Sequence, residues 1–179
     1  MTEQMILGSG DLYVAAYTGS IPDDETLEVA NNQLGYIKGG ATIEYKPEEY
    51  TINDDSNTIY KRYVISEEIT FKSGILSWNL STLKTLCAKC TYSDDSTKTM
   101  RTLTLGGKGV REMDKYVVRF VHTKTDGKKI RVTLVATASA GLSLAFAPDK
   151  ETTVDAEFKA ISHNTVGNQL IITEEYTTD

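Results

Sequence analysis

The sequence predicts a mainly β protein: an antiparallel β-sandwich or barrel with one flanking α-helix at about residues 80–90. Three observations carry this. Apolar residues recur with a period of two through most of the chain, which is the strand period. Asp126-Gly127 separates two such runs, and that dipeptide favours the tight turns that join antiparallel strands. One segment, WNLSTLKTLCAKC, changes to a spacing of three and four.

Taken in order, ATIEY places Ala41, Ile43 and Tyr45 on one face, opposite Thr42 and Glu44. Along IYKRYVISEEITF the odd positions Ile59, Tyr63, Ile65, Ile69 and Phe71 share a face. Glu67 breaks that row, which marks a candidate bulge or functional exception. PEEYTINDDSN between these runs reads as the loop of a long hairpin, residues 47–58. In the helical segment Leu80, Leu83, Cys87 and Cys90 form the apolar stripe, with Asn79 or Ser81 as N-cap. YSDDSTK reads as the loop after it. YVVRFVH and IRVTLVA present Tyr116, Val118 and Phe120, then Ile130, Val132 and Leu134. GLSLAFAPDKETTVDAEFKAIS reads as two strands about a Pro148-Asp149 turn, and NQLIITEEY as the last strand.

The chain of 179 residues is long enough to bury its own core as one domain, and its 40% hydrophobic and 25% charged content is globular. No run approaches the roughly 18 apolar residues of a membrane helix. MTEQMILGSGDL carries an acid where a secretory signal carries bases, so synthesis in a cytoplasm without a membrane anchor is expected. The net charge of −6 is unevenly spread. Residues 1–60 hold eleven acids against Lys38 and Lys46, whereas the remainder holds fourteen acids and seventeen bases. Such segregation suits head-to-tail association of like copies.

No catalytic constellation emerges, and no enzyme, cofactor or metal site is expected. Cys87-x-x-Cys90 falls at the end of the expected helix, whereas a redox pair wants its first thiol at a helix N-terminus. Only His122 and His163 remain to complete a zinc site, both distant in sequence, so the cysteines read as structural thiols. GGKG at 106–109 lacks the G-x-x-x-x-G-K-[ST] pattern of a phosphate loop and reads as a turn. From Lys98 to Arg131 there are ten bases against three acids, but Tyr116 and Phe120 fall on the apolar face and offer no stacking platform for nucleic acid.

Residues 138–162 and VGNQLIITEEY resemble the C-terminal half of phage major tail tube proteins. There a strand ends in a Pro turn with an acid and a T-x-x-x-x-F-x-A strand follows, matched by Ala147, Pro148, Asp149, Thr153, Phe158 and Ala160. LYVAAY, YIKGGATIEYKPEEY and GILSWNLSTLKTLC are similar to the family's front half, so the resemblance covers about residues 10–176. The segment 19–35 has no counterpart in it.

The resemblance implies a β-sandwich with a helix at its side, six-membered rings, and rings stacked into a hollow virion tail tube assembled in the host cytoplasm. Partners would be further copies of the chain, a tail-tip or baseplate initiator, tape measure and tail terminator proteins. Double-stranded DNA would pass through the lumen without specific binding. Acids on the long strands are the candidate lining: Glu44, Glu48, Glu67, Asp155 and Glu157. Candidate ring–ring contacts are an N-terminal arm, residues 1–11, through Met5, Ile6 and Leu7, and the acids Asp54 and Asp55 meeting Lys108, Arg111, Lys128 or Lys129. The same fold could serve in a contractile tail, a tail-like bacteriocin or a secretion system. A carbohydrate-binding β-sandwich is the alternative of a different class, kept open by the ten tyrosines and weakened by Trp78 being the single Trp.

Overall fold

A computed structural model of the chain describes residues 9–56, 59–76, 79–139, 144 and 151–177. The fold is mainly β and antiparallel with short flanking helices. In chain order the elements are β1 (Asp11–Ala16), α1 (Asp24–Leu27), β2 (Ile37–Asn53), β3 (Ile59–Ile75), α2 (Leu80–Leu86), β4 (Cys90–Asp95), β5 (Met100–Leu105), β6 (Lys115–Thr123), β7 (Lys129–Ala138), β8 (Val154–Ala160) and β9 (Leu170–Glu174). A single 3-10 turn at Ala30–Asn32 follows α1.

Seven strands form one sheet in the order β1-β6-β7-β8-β3-β2, and β9 pairs with the first half of β7. β4 and β5 form a separate two-stranded sheet. The β6–β7 hairpin turns at the Asp126-Gly127 pair, where Gly127 takes φ 82° and Asp126 Oδ1 accepts from the Lys128 N–H at 3.1 Å.

Register decides which residues meet. Leu12 opposes Phe120, Val118 opposes Leu134, Ala138 opposes Phe158, and Phe158 opposes Phe71, so these side chains share one face. With Val14, Ile75, Ala136, Val154 and Ala156 they form the main core, closed from above by Leu83 and Leu86 of α2. Phe71 and Phe120 meet at a tilted ring contact with centroids 6.2 Å apart.

The opposite face of β6 and β7 is also buried. Val117 and Val135 oppose each other there and pack on Leu27 of α1, flanked by Tyr13, Ala15, Tyr17, Ile21 and Ile161. The segment 19–35, which the family resemblance leaves unmatched, is therefore the cover of a second small core. It also explains why YVVRFVH and IRVTLVA are apolar at consecutive positions: strands buried on both faces lose the period of two.

Five expectations are corrected. The helix ends at Leu86 and not near 90, so Cys87 and Cys90 are not on its stripe. Cys87 is extended (φ −104°, ψ 120°), and Cys90 opens β4 by pairing with Leu105. Strand pairing with β5 outcompetes the helical spacing, and for the same reason most of the expected YSDDSTK loop is strand, with MRTLTL as its partner. The loop set at 47–58 is strand as far as Asn53, and β3 begins at Ile59. Pro47 is tolerated because β2 is the edge of the sheet, where a missing N–H breaks no ladder. The Ile59–Phe71 row is not continuous. Glu48 pairs with Ser66 but Glu49 with Val64, a bulge at Ile65 and not at Glu67. Finally, Asp11 belongs to β1, so the strand begins within the segment expected as an arm; Met5, Ile6 and Leu7 lie outside the described residues, as does the turn around Pro148.

Candidate functional site

The β2–β3 hairpin is far longer than the sheet that carries it. β8 pairs with β3 only over Thr70–Ile75, so the part from Ile59 to Ile69, with its β2 partners, projects as a two-stranded arm. Both edges of that arm are unpaired among the described residues. Its surface carries exposed apolar groups: Tyr45, Tyr50, Ile52, Tyr60, Tyr63, Val64 and Ile65. Val64 and Ile65 are 55% and 60% exposed, so the arm carries a contiguous apolar surface open to solvent.

Four of the five candidate lining acids share one sheet face. Glu44 opposes Thr70 and Glu48 opposes Ser66, while Lys72 opposes Glu157 and Gly74 opposes Asp155, all on the side away from the main core. Glu67 is different. It opposes Pro47 on the core side, where it accepts a 2.5 Å hydrogen bond from the Tyr45 hydroxyl. That bond holds the Tyr45 phenol above its ordinary pKa.

The polar face is not purely acidic, and its lysines are what the residue-by-residue reading missed. Lys72 bridges Glu44 at 3.2 Å and Glu157 at 3.9 Å, Lys46 meets Glu44 at 3.3 Å, and Lys159 meets Glu68 at 2.9 Å. Hydrogen bonds from Lys72 and Lys46 hold the Glu44 carboxyl below the usual carboxylate range, and the bond from Lys159 does the same for Glu68. The signal was present in sequence, since Glu44 and Lys46, or Glu157 and Lys159, are two apart and so share a face. Beside this lattice, a shallow cleft of about 320 Å³ opens between the Gly39-Gly40 bulge, Lys72, Gly74, Asp155 and Glu157.

The candidate ring–ring bases are mostly engaged within the chain. Arg111 donates to the Cys90 carbonyl and to Asp114, Lys128 bonds Thr177, and Lys129 meets Glu28 at 2.7 Å. Lys108 is exposed in the glycine loop, and Asp54 and Asp55 sit at the arm's turn, where Asp54 Oδ1 accepts from the Ser56 N–H. The basic stretch 98–131 is likewise dispersed: Lys98 pairs with Asp95, Arg101 with Asp94, Lys115 with Glu112 and Lys124 with Glu174. Arg119 is buried and Arg131 half-buried against Asp24 and Glu28, with the Glu28 side chain only 8% exposed. The described residues gather no group of three His, Cys, Asp or Glu that could hold a metal ion.

No family model matches the chain, and no curated protein matches it.

Proposed function

We propose that the chain is a structural subunit of the tail-tube type, which forms rings of six copies stacked into a hollow tube that conducts double-stranded DNA. One observation carries the reading: the projecting β2–β3 arm, whose two edges are open among the described residues and which bears a row of exposed apolar side chains. An isolated two-stranded ribbon is at best marginally stable in water, and open edges invite strand pairing. A neighbouring copy satisfies both needs, and a head-to-tail contact of this kind closes into a ring.

In this reading the polar face of β2, β3 and β8 is the inner wall, with Glu44, Glu48, Asp155 and Glu157 facing the lumen and Glu67 facing away. Lys46 and Lys72 share Glu44, Lys72 also meets Glu157, and Lys159 pairs with Glu68. Pairing to carboxylates weakens the hold of these ammoniums on passing phosphate, and the acids of the face further keep DNA from adhering. The initiator, tape measure and terminator proteins follow from the tube, and the virion tail from the DNA it conducts. A contractile tail, a tail-like bacteriocin and a secretion system would use the same wall, and a sheath gene beside this one distinguishes them.

Electron microscopy of the purified chain over a concentration series, with and without a tail-tip initiator, tests the reading. Hollow filaments or six-fold rings are expected. A strict monomer under every condition overturns it and favours a carbohydrate-binding module, for which the exposed Tyr36, Tyr45, Tyr50, Tyr60 and Tyr63 would be the stacking platforms.

A further inference from the structure

We propose that Cys87 and Cys90 are a dithiol modification site, which a low-molecular-weight disulfide oxidises to an intramolecular Cys87–Cys90 bond across the bend after α2. The corrected end of α2 is what opens this possibility. The chain leaves the helix at Cys87, bends over Ala88 and Lys89, and enters β4 at Cys90. Cys90 Sγ lies 3.5 Å from the Lys84 carbonyl and 3.7 Å from the Cys87 carbonyl, so the Cys90 side chain folds back across the bend onto Cys87. A thiol packed on the backbone of a second cysteine three residues away, across a bend, is the short-range proximity from which a disulfide can close. They also differ in access: Cys87 is half-buried, whereas Cys90 is 5% exposed.

That difference orders the chemistry. The Cys87 thiolate attacks one sulfur of the reagent, the reagent's S–S bond breaks, and one thiol departs and takes up a proton. The Cys90 thiolate then attacks the Cys87 sulfur of this mixed disulfide and expels the second thiol. The protein loses two electrons and two protons, and the reagent is reduced to two thiols. Burial and the adjacent Cys87 push the Cys90 thiol up to about 11, which makes the second step the slow one at neutral pH. A ring this short removes little chain entropy, so the bond acts on its own corner rather than on global stability. That corner matters because Lys89, inside the ring, holds the 106–109 loop through Gly107 and Gly109.

The test is oxidation of the reduced full chain by oxidised glutathione, with acid quenching, alkylation and intact mass measurement. The expected end state has neither cysteine alkylated, no bound glutathione, no dimer on a non-reducing gel, and a cross-linked 87–90 peptide. Cys90→Ser should stop at a stable glutathione adduct on Cys87, and Cys87→Ser should react about tenfold more slowly than the native chain. Two thiols still alkylated, a persistent adduct on the native chain, or linked dimers would overturn the proposal. Phenylarsine oxide, which bridges neighbouring thiols, supplies a readout independent of how the variants fold. One-to-one binding to the reduced native chain is expected, and absence of binding counts against the site. None of these outcomes depends on the chain forming tubes.

Discussion

The Lys89 ammonium is held by the backbone of the glycine loop: its Nζ donates to the Gly107 carbonyl at 2.7 Å and to the Gly109 carbonyl at 2.6 Å. The Gly106 N–H returns a bond to the Lys89 carbonyl at 3.0 Å. Gly106, Gly107 and Gly109 all have positive φ, which brings carbonyls to bear on the lysine. A phosphate loop does the reverse, pointing N–H groups at an anion. GGKG is thus a cradle for a cation, and the cation belongs to the chain. Lys89→Met keeps the aliphatic stem and removes both bonds. Urea denaturation should show a loss of about 1 kcal/mol, the ordinary net worth of a partly exposed hydrogen-bonded group. Hydrogen exchange should accelerate selectively over residues 106–109.

Glu28 is the centre of the second packing layer. It meets Arg131 at 2.5 Å, Lys129 at 2.7 Å and Arg119 at 3.6 Å, so three cations converge on one buried carboxylate. Glu28→Gln removes the carboxylate that the three share, while Asp24 still meets Arg119 and Arg131 and Glu175 still meets Arg131, so it should cost about 2 kcal/mol, the range for losing hydrogen bonds to charged groups. Burial alone would raise the Glu28 pKa, but hydrogen bonds from Arg131 and Lys129 outweigh it and hold the carboxyl below its ordinary value. The Glu175 carboxyl is lowered as well, by its bond from Arg131. A folded-state pKa below the unfolded one gives stability that is complete above the unfolded value of 4.5 and is lost as pH falls through the folded value. Melting temperature should therefore fall steeply from about pH 4.5 downward in the native chain. Glu28→Gln should flatten that slope.

The cap of α2 is a smaller test of the same kind. Asn79 Oδ1 accepts from the Ser81 N–H at 3.0 Å and from the Ser81 hydroxyl at 2.9 Å. Asn79→Ala should cost about 1 kcal/mol in urea denaturation, whereas Asn79→Asp should recover most of it.

What could be read from sequence followed the strength of local signals. The strand period, the Asp-Gly turn and the Asn79 cap are local, and each appears where the residues place it. The end of α2, the extent of the hairpin strands and the bulge at Ile65 are decided by pairing between distant segments. There Cys90 meets Leu105, and Pro47 meets Glu67 at a sheet edge. Alternation put Glu44, Glu48, Asp155 and Glu157 on strand faces, but only register shows that they share one face and that Glu67 does not. The role of segment 19–35 was invisible because its partners, Val117, Val135 and Arg119, lie about a hundred residues away.

The arm allows stability and assembly to be separated. Val64 and Ile65 are well exposed, so replacing both by Ser removes little apolar burial from the isolated chain. The denaturation midpoint of the monomer should stay near that of the parent. If a neighbouring copy covers the arm, the same double substitution deletes apolar contacts within that interface and should abolish filaments in electron microscopy, or raise the concentration at which light scattering detects them by tenfold or more, equivalent to at least about 1.4 kcal/mol in total. Phe158→Ala is the opposite control. Phe158 is fully buried against Phe71, so that variant should lose about 3–5 kcal/mol and fail to assemble because it fails to fold. A Val64→Ser, Ile65→Ser chain that melts like the parent and still forms tubes would mean that the arm is not where the copies meet.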